Sequence, residues 1–183
     1  MDRKKISKFL SLVLRHKPEQ IGLCLDRQGW ADMDELISGA EKAGMPLDRD
    51  IIARVVAEND KQRFAISADG RFIRASQGHS VSVDLGLKPQ TPPEILWHGT
   101  AQRFLESIRL KGLIRGTRHH VHLSGDEETA FNVGKRHGKP VVLKIRSGEM
   151  HRAGQIFYLS DNGVWLTEHI QPEFIEFPAI WES

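Results

Sequence analysis

Apolar residues recur at helical spacing from the start of the chain. Ile6, Phe9, Leu10, Val13 and Leu14 form one stripe, and Lys4, Lys8, Ser11 and Arg15 fall on the opposite face at about 100° per residue. Pro18 limits this helix, because the residue before a proline is pushed out of the helical region. A second helix is predicted from Asp32, an N-cap with Glu35 in the capping-box position, through Met33, Leu36, Ile37 and Ala40 to a stop at Gly44. A third runs from Asp48 to Asn59 on Ile51, Ile52, Val55 and Val56. The period then changes to two in Arg63-Phe64-Ala65-Ile66-Ser67 and Arg71-Phe72-Ile73-Arg74, with Asp69-Gly70 between them as a hairpin turn. Three helices followed by a hairpin outline a winged helix.

Beyond Arg74 the periodicity lapses. Ser76-Gln77-Gly78-His79-Ser80 has none, and the prolines of Lys88-Pro89-Gln90-Thr91-Pro92-Pro93 remove backbone donors. This predicts a first lobe over 1–78, a connector over 79–93 and a second lobe over 94–183. The second lobe reads as mixed α and β. Glu94-Ile95-Leu96-Trp97 is a strand leading into His98-Gly99-Thr100, and Phe104, Leu105, Ile108 and Leu110 suit a helix ending at Gly112. Further strands are predicted at Val121 to Ser124, at Pro140 to Ile145, and at Ile156 to Leu159 and Val164 to Thr167 about an Asn162-Gly163 turn. A last strand covers Phe174 to Phe177, ahead of Pro178. No internal repeat or low-complexity tract interrupts this order.

Composition narrows the class. Hydrophobic residues make up 39% and charged residues 27%, as in a globular protein. A net charge of +2 leaves only local basic patches for an anionic partner. No apolar run approaches the roughly 18 residues that span a bilayer. Met1-Asp2-Arg3-Lys4-Lys5 leads into no signal-type apolar core. Cys24 has no second cysteine to pair with, and the expected compartment is the reducing cytoplasm.

Four short segments could carry chemistry. Arg15-His16 closes the first helix beside Lys17; it is either a solvated basic helix end or an anion site with a guanidinium fork and a titratable donor. Arg63 is either an exposed strand arginine or, if the first helix lies beside it, a second member of that site. In His98-Gly99-Thr100 the glycine admits a ligand to the backbone, while His and Thr can bond ribose hydroxyls or an amide. In Arg118-His119-His120-Val121-His122-Leu123-Ser124, His120 and His122 share a strand face, which raises a metal site. A closed zinc site needs four ligands and Cys24 lies in the other lobe, so a polar cleft lined by His122 and Ser124 is the favoured reading, with His119 and His120 at the surface. Glu127-Glu128 is accounted for as a solvated helix start, and Glu168 stands at a strand end. Phosphate-loop, dinucleotide-fingerprint, His-Glu-x-x-His and Gly-x-Ser-x-Gly signatures are absent from the sequence.

Leu14-Arg15-His16-Lys17-Pro18, Lys61-Gln62-Arg63-Phe64, His98-Gly99-Thr100, Arg118 to Ser124 and Tyr158 to Thr167, in this order, resemble the RNA 2′-phosphotransferase family, known as Tpt and KptA. The resemblance covers nearly the whole chain. It implies an α+β protein, with an N-terminal winged-helix lobe joined to a C-terminal ADP-ribosyltransferase-like mixed α/β lobe. NAD and an RNA carrying a 2′-phosphate are the implied substrates, with no metal and no obligate protein partner. The family's four reacting-site residues match Arg15, His16, Arg63 and Arg118; its NAD-binding segments match His98, Gly99 and Thr100, and His122 and Ser124. The implied reaction transfers the RNA phosphate to the ADP-ribose of NAD and leaves a 2′-hydroxyl, and the family's best-understood role is in tRNA splicing.

Two other functions remain open at this level. Glu168 near the last hairpin would suit ADP-ribosylation of a protein acceptor, and Glu168→Gln would then abolish transfer. A winged helix before a ligand lobe could also be a nucleotide-sensing DNA-binding regulator. Against it, Asp48 and Asp50 stand where a recognition helix would meet phosphates.

Overall fold

A computed structural model describes residues 2–179. The chain is mixed α/β and divides into two compact units, Met1–Gly86 and Leu87–Ser183. Six α-helices and four small sheets lie among the described residues. None of those helices is long and apolar enough to cross a membrane.

In the first unit, α1 (Arg3–Arg15) is capped by Asp2, whose side chain accepts from Lys4 N at 2.9 Å. The two-residue strand β1 (Ala31–Asp32) runs directly into α2 (Met33–Lys42). Asp32 is both the end of β1 and the N-cap, its carboxylate accepting from Asp34 N at 2.8 Å and Glu35 N at 3.1 Å. Helix α3 (Arg49–Ala57) is capped in the same way by Asp48, which accepts from Ile51 N at 2.7 Å. Strands β2 (Phe64–Ile66) and β3 (Phe72–Ala75) pair antiparallel, and β1 joins the other edge of β3. The core is the buried stripe of α1 (Ile6, Leu10, Val13 and Leu14) with Leu36, Ile52, Phe64 and Ile73. Each such side chain contributes about 1.5–3 kcal/mol on leaving water.

Residues 76–86 carry no helix or strand, yet they belong to this unit. Ser76, Gln77 and His79 are buried. Ser76 Oγ donates to the Gln62 carbonyl at 2.8 Å, and Asp84 N donates to the Arg27 carbonyl at 2.6 Å.

The second unit is organised on β4 (Leu96–Ala101). Helix α4 (Leu105–Lys111) and strand β5 (Leu113–Ile114) follow, then β6 (Val121–Leu123) and α5 (Glu127–Gly134). Strand β7 (Pro140–Ile145) pairs antiparallel with β4 along its whole length, from Leu96↔Ile145 to Ala101↔Pro140. After α6 (Ser147–Arg152), strands β8 (Tyr158–Leu159) and β9 (Trp165–Thr167) form a sheet with β6 in the order β6-β9-β8. Strand β10 (His169–Ile170) pairs with β5, and β11 (Ile175–Glu176) covers the other edge of β7. Leu96, Leu143, Ile145 and Phe157 are fully buried at its centre.

The long β4–β7 ladder changes one expectation: His98, Gly99 and Thr100 lie inside β4, not beyond its end. The last strand is shorter than its pattern suggests because Phe174 closes a 3-10 turn, Pro172–Phe174. Of Ile156 to Leu159 only Tyr158 and Leu159 pair, while Phe157 is buried and Ile156 is exposed.

Gly99 is where α5 meets β4. A Cβ there would overlap the Ala130 carbonyl oxygen and lie 2.8 Å from Gly134 N, both backbone atoms of α5. The side chain's space is therefore taken by helix backbone. Gly99→Ala should cost more than about 2 kcal/mol by overpacking. We expect thermal unfolding at least about 5 °C lower than wild type, whereas Gly125→Ala, where a Cβ meets nothing within 4 Å, should unfold at the wild-type temperature.

Candidate functional site

The first unit gathers its candidates at the C-terminal end of α1. The helix stops at Arg15: His16 leaves helical geometry at φ −128°, and both His16 N and Lys17 N turn back to the Leu12 carbonyl, at 3.0 and 2.8 Å. Carbonyls of a last turn lack intrahelical donors. That of Arg15 receives Ser80 N at 2.9 Å and Val81 N at 3.3 Å. The half-buried Arg15 guanidinium lies 5.9 Å from the centre of the Phe64 ring, and its NH2 donates to the Arg63 carbonyl at 3.5 Å. His16 Nδ1 is 2.9 Å from Ser80 Oγ.

Arg63 enters β2 from a left-handed residue. Gln62 has φ 42°, a strained conformation for a residue with a side chain, and its carbonyl is held by Ser76 Oγ. Arg63 is half-buried, and its carbonyl accepts from both Ser76 N and Arg15 NH2. The first unit thus brings Arg15, His16 and the backbone of Arg63 together.

The second unit gathers its candidates where β4 meets β6. Trp97 and Ser124 exchange backbone hydrogen bonds, Trp97 N to Ser124 O at 2.9 Å and Ser124 N to Trp97 O at 2.8 Å. His98 Nδ1 is 3.0 Å from the His122 carbonyl, and the exposed Arg118 places NH1 3.3 Å from His122 Nδ1. These contacts assign protons. A carbonyl only accepts, so His98 carries its proton on Nδ1 and offers an acceptor at Nε2. Arginine only donates, so neutral His122 carries its proton on Nε2. Thr100 is buried within the β4–β7 ladder, while Ser124 is half-buried.

Two histidines here depart from their ordinary range. Burial pushes His98 below its usual 6.5; the His122 carbonyl opposes this and the charge of His137 adds to it. Burial also lowers His120, helped by His119 and Arg115 and opposed by Glu168. His119 and His120 were expected at the surface, but both are half-buried, and His120 packs on the Tyr158 ring at 5.4 Å between centroids. The shared strand that brings β8 beside β6 through β9 makes that contact possible. Among the described residues no three His, Cys, Asp or Glu side chains group as metal ligands. Glu168 is exposed between β9 and β10.

Guanidinium forks beside histidines, on both units of a mixed α/β frame, equip a protein for phosphorylated substrates. The family model described as "RNA 2′-phosphotransferase, Tpt1 / KptA family" matches residues 1–169, and the chain belongs to this family of transferases. A Pseudomonas aeruginosa protein described as a probable RNA 2′-phosphotransferase is 56% identical over 179 residues, 96% of this chain and 98% of its own length. The RNA 2′-phosphotransferase of Escherichia coli K12 is 56% identical over 172 residues, 93% of this chain and 94% of its own. A Pectobacterium carotovorum relative, also described as a probable RNA 2′-phosphotransferase, reaches 59% over 172 residues, covering 93% and 92%.

His98 and His120 give the protein a stability signature. Each binds its proton more weakly folded than unfolded, so acidification favours the unfolded chain as pH falls below 6.5. The lowered carboxylates Asp69 and Glu94, with ordinary values of 3.8 and 4.5, lose their stabilising effect only at lower pH. Calorimetry should therefore find a falling melting temperature between pH 6.5 and 5. His98→Gln, which keeps a donor for the His122 carbonyl, should flatten that slope.

Proposed function

We propose that this chain removes an internal 2′-phosphate from RNA with NAD as co-substrate, giving 2′-hydroxyl RNA, nicotinamide and ADP-ribose 1″,2″-cyclic phosphate. The observation that carries the reading is the family match over residues 1–169, in a chain whose α1 terminus joins Arg15, His16 and the Arg63 backbone. The finer fold follows the same reading. Residues 1–78, three helices and a hairpin, act as a winged-helix lobe that receives the RNA phosphate. Residues 94–183 act as an ADP-ribosyltransferase-like lobe that receives NAD. Between them, 79–93 serves as connector, its first part to Gly86 packing within the first compact unit.

NAD fits the donors of the second unit. The Nε2–H of His122 suits its anionic pyrophosphate, and Ser124 and His98 Nε2 suit ribose hydroxyls or the nicotinamide amide. Gly99 and Thr100 contribute through the β4 backbone, since α5 fills the space over Gly99 and Thr100 is buried. NAD supplies an anomeric carbon with a good leaving group.

The RNA phosphate is already an anionic nucleophile, so the first step needs capture and alignment more than a strong base. A phosphate oxygen bonds to the anomeric carbon, and nicotinamide departs neutral with the electron pair of the broken C–N bond. In the second step the ribose 2″-oxygen bonds to phosphorus and the RNA 2′-oxygen leaves. The proton lost by the ribose hydroxyl ends on that RNA oxygen, with His16 assisting. Arg15, Arg63 and Arg118 hold the phosphate and stabilise the negative charge that builds at phosphorus. The charge that Mg²⁺ gives other phosphoryl-transfer enzymes comes here from guanidinium. The soluble RNA chemistry suits a cytoplasmic enzyme.

Arg15→Ala, Arg63→Ala and Arg118→Ala should each slow the second step by roughly 100-fold or more, as loss of a charge-stabilising donor does. Rapid-quench gels should then find RNA carrying ADP-ribose accumulating, with melting temperatures near wild type. Loss of NAD binding with no such RNA would contradict this division of roles. Glu168→Gln should leave transfer near the wild-type rate; its abolition would favour a protein-type ADP-ribosylation mechanism.

A further inference from the structure

The segment that follows β3 reaches back to the reacting end of α1, and Ser80 is its point of contact. Three bonds converge there: Ser80 N to the Arg15 carbonyl at 2.9 Å, Val81 N to the same carbonyl at 3.3 Å, and Ser80 Oγ with His16 Nδ1 at 2.9 Å. The Ser80 hydroxyl also has the Arg15 carbonyl as a second, longer acceptor at 3.5 Å. The backbone bonds immobilise the serine whatever its side chain does. They satisfy an acceptor that the end of α1 leaves without a helical donor. The hydroxyl is exposed, contributes nothing to the core, and has a ring nitrogen as its nearest side-chain partner. We propose that Ser80 is a positioning residue for His16, holding the imidazole by Nδ1 so that chemistry at the RNA phosphate falls to Nε2.

A hydroxyl suits this place because it can reverse its bond. When His16 is neutral, the Ser80 O–H donates to Nδ1 and the ring proton sits on Nε2, ready to bond a phosphate oxygen. When His16 is an imidazolium, Nδ1–H donates to the Ser80 lone pair and the ring stays where it was. Alanine loses both arrangements; threonine retains both. The inference rests on the reading of His16 as a participant in the second step.

The test joins kinetics to a direct view of the ring. Ser80→Ala, Ser80→Thr, His16→Asn and the double variant Ser80→Ala/His16→Asn would be compared in single turnovers of 2′-phosphorylated RNA with saturating NAD. Long-range ¹⁵N–¹H spectra would report the His16 tautomer. Ser80→Ala should unfold at the wild-type temperature, slow the second step about 10-fold, leave the RNA KM within two-fold, and change the His16 nitrogen shifts alone. Ser80→Thr should restore both rate and shifts, and Ser80→Ala should add nothing to His16→Asn. A Ser80→Ala enzyme with wild-type turnover beside a slow His16→Asn enzyme overturns the role of Ser80 alone. So does a serine effect that persists in the His16→Asn background, or a threonine variant no better than alanine. A His16→Asn enzyme at wild-type rate overturns the reading of His16 and the role of Ser80 with it.

Discussion

An α-helix that ends at a candidate site residue leaves that residue on a last turn whose carbonyls have no helical donors. Here the Arg15 carbonyl is taken by the backbone of Ser80 and Val81, from a segment more than sixty positions further along the chain. The first unit depends on this contact in two ways. It anchors residues 76–86 to α1, and it fixes the backbone from which Arg15 and His16 project. The same segment holds the strained turn at Gln62 through Ser76, so the entry to Arg63 is tied to the same strap. Positions far apart in sequence meet at one corner, through backbone bonds to the Arg15 carbonyl and a side-chain bond from Ser76 to the Gln62 carbonyl.

The second unit holds its candidate residues by other means. A six-residue antiparallel ladder of β4 with β7 is sealed on one side by α5, whose backbone comes so close that Gly99 has no room for a Cβ. The exchange of bonds between Trp97 and Ser124 then locks β6 beside β4. His98 and His122 are set by this frame, and each acquires a defined tautomer from its partner: a carbonyl for one and a guanidinium for the other.

Much of this was legible in residue pattern. Asp32 and Asp48 announced their helices because a carboxylate bonding exposed first-turn amides is a local device, and both caps are present, with two amides at Asp32 and one at Asp48. The apolar stripe of α1 and the Asp69-Gly70 hairpin are local in the same sense, and the core uses them as expected. The two-residue strands β1, β5 and β10 and the short helix α6 have too few residues to carry a period; distant partners create them. The placement of His98 to Thr100 within β4 followed from the length of β7, which the local sequence of β4 cannot contain. Among the candidate residues, Arg15 and His16 stood out by chemistry at a helix end and Arg118 by its dense run of histidines. Ser80 had no such signal: one hydroxyl in an aperiodic stretch becomes notable only once α1 lies against it.

The proposed chemistry needs no group more reactive than arginine and histidine, because in it the RNA phosphate would bring the nucleophile and NAD the leaving group. Its central claim is that the phosphate leaves RNA on the ribose of NAD, and one reaction tests it directly. A short RNA with a single internal 2′-phosphate, labelled at that phosphorus, would be incubated with the protein with and without NAD, and the label followed by chromatography and mass spectrometry. The account predicts that the label leaves RNA only when NAD is present and reappears in ADP-ribose 1″,2″-cyclic phosphate. Release of the label as inorganic phosphate without NAD would contradict it.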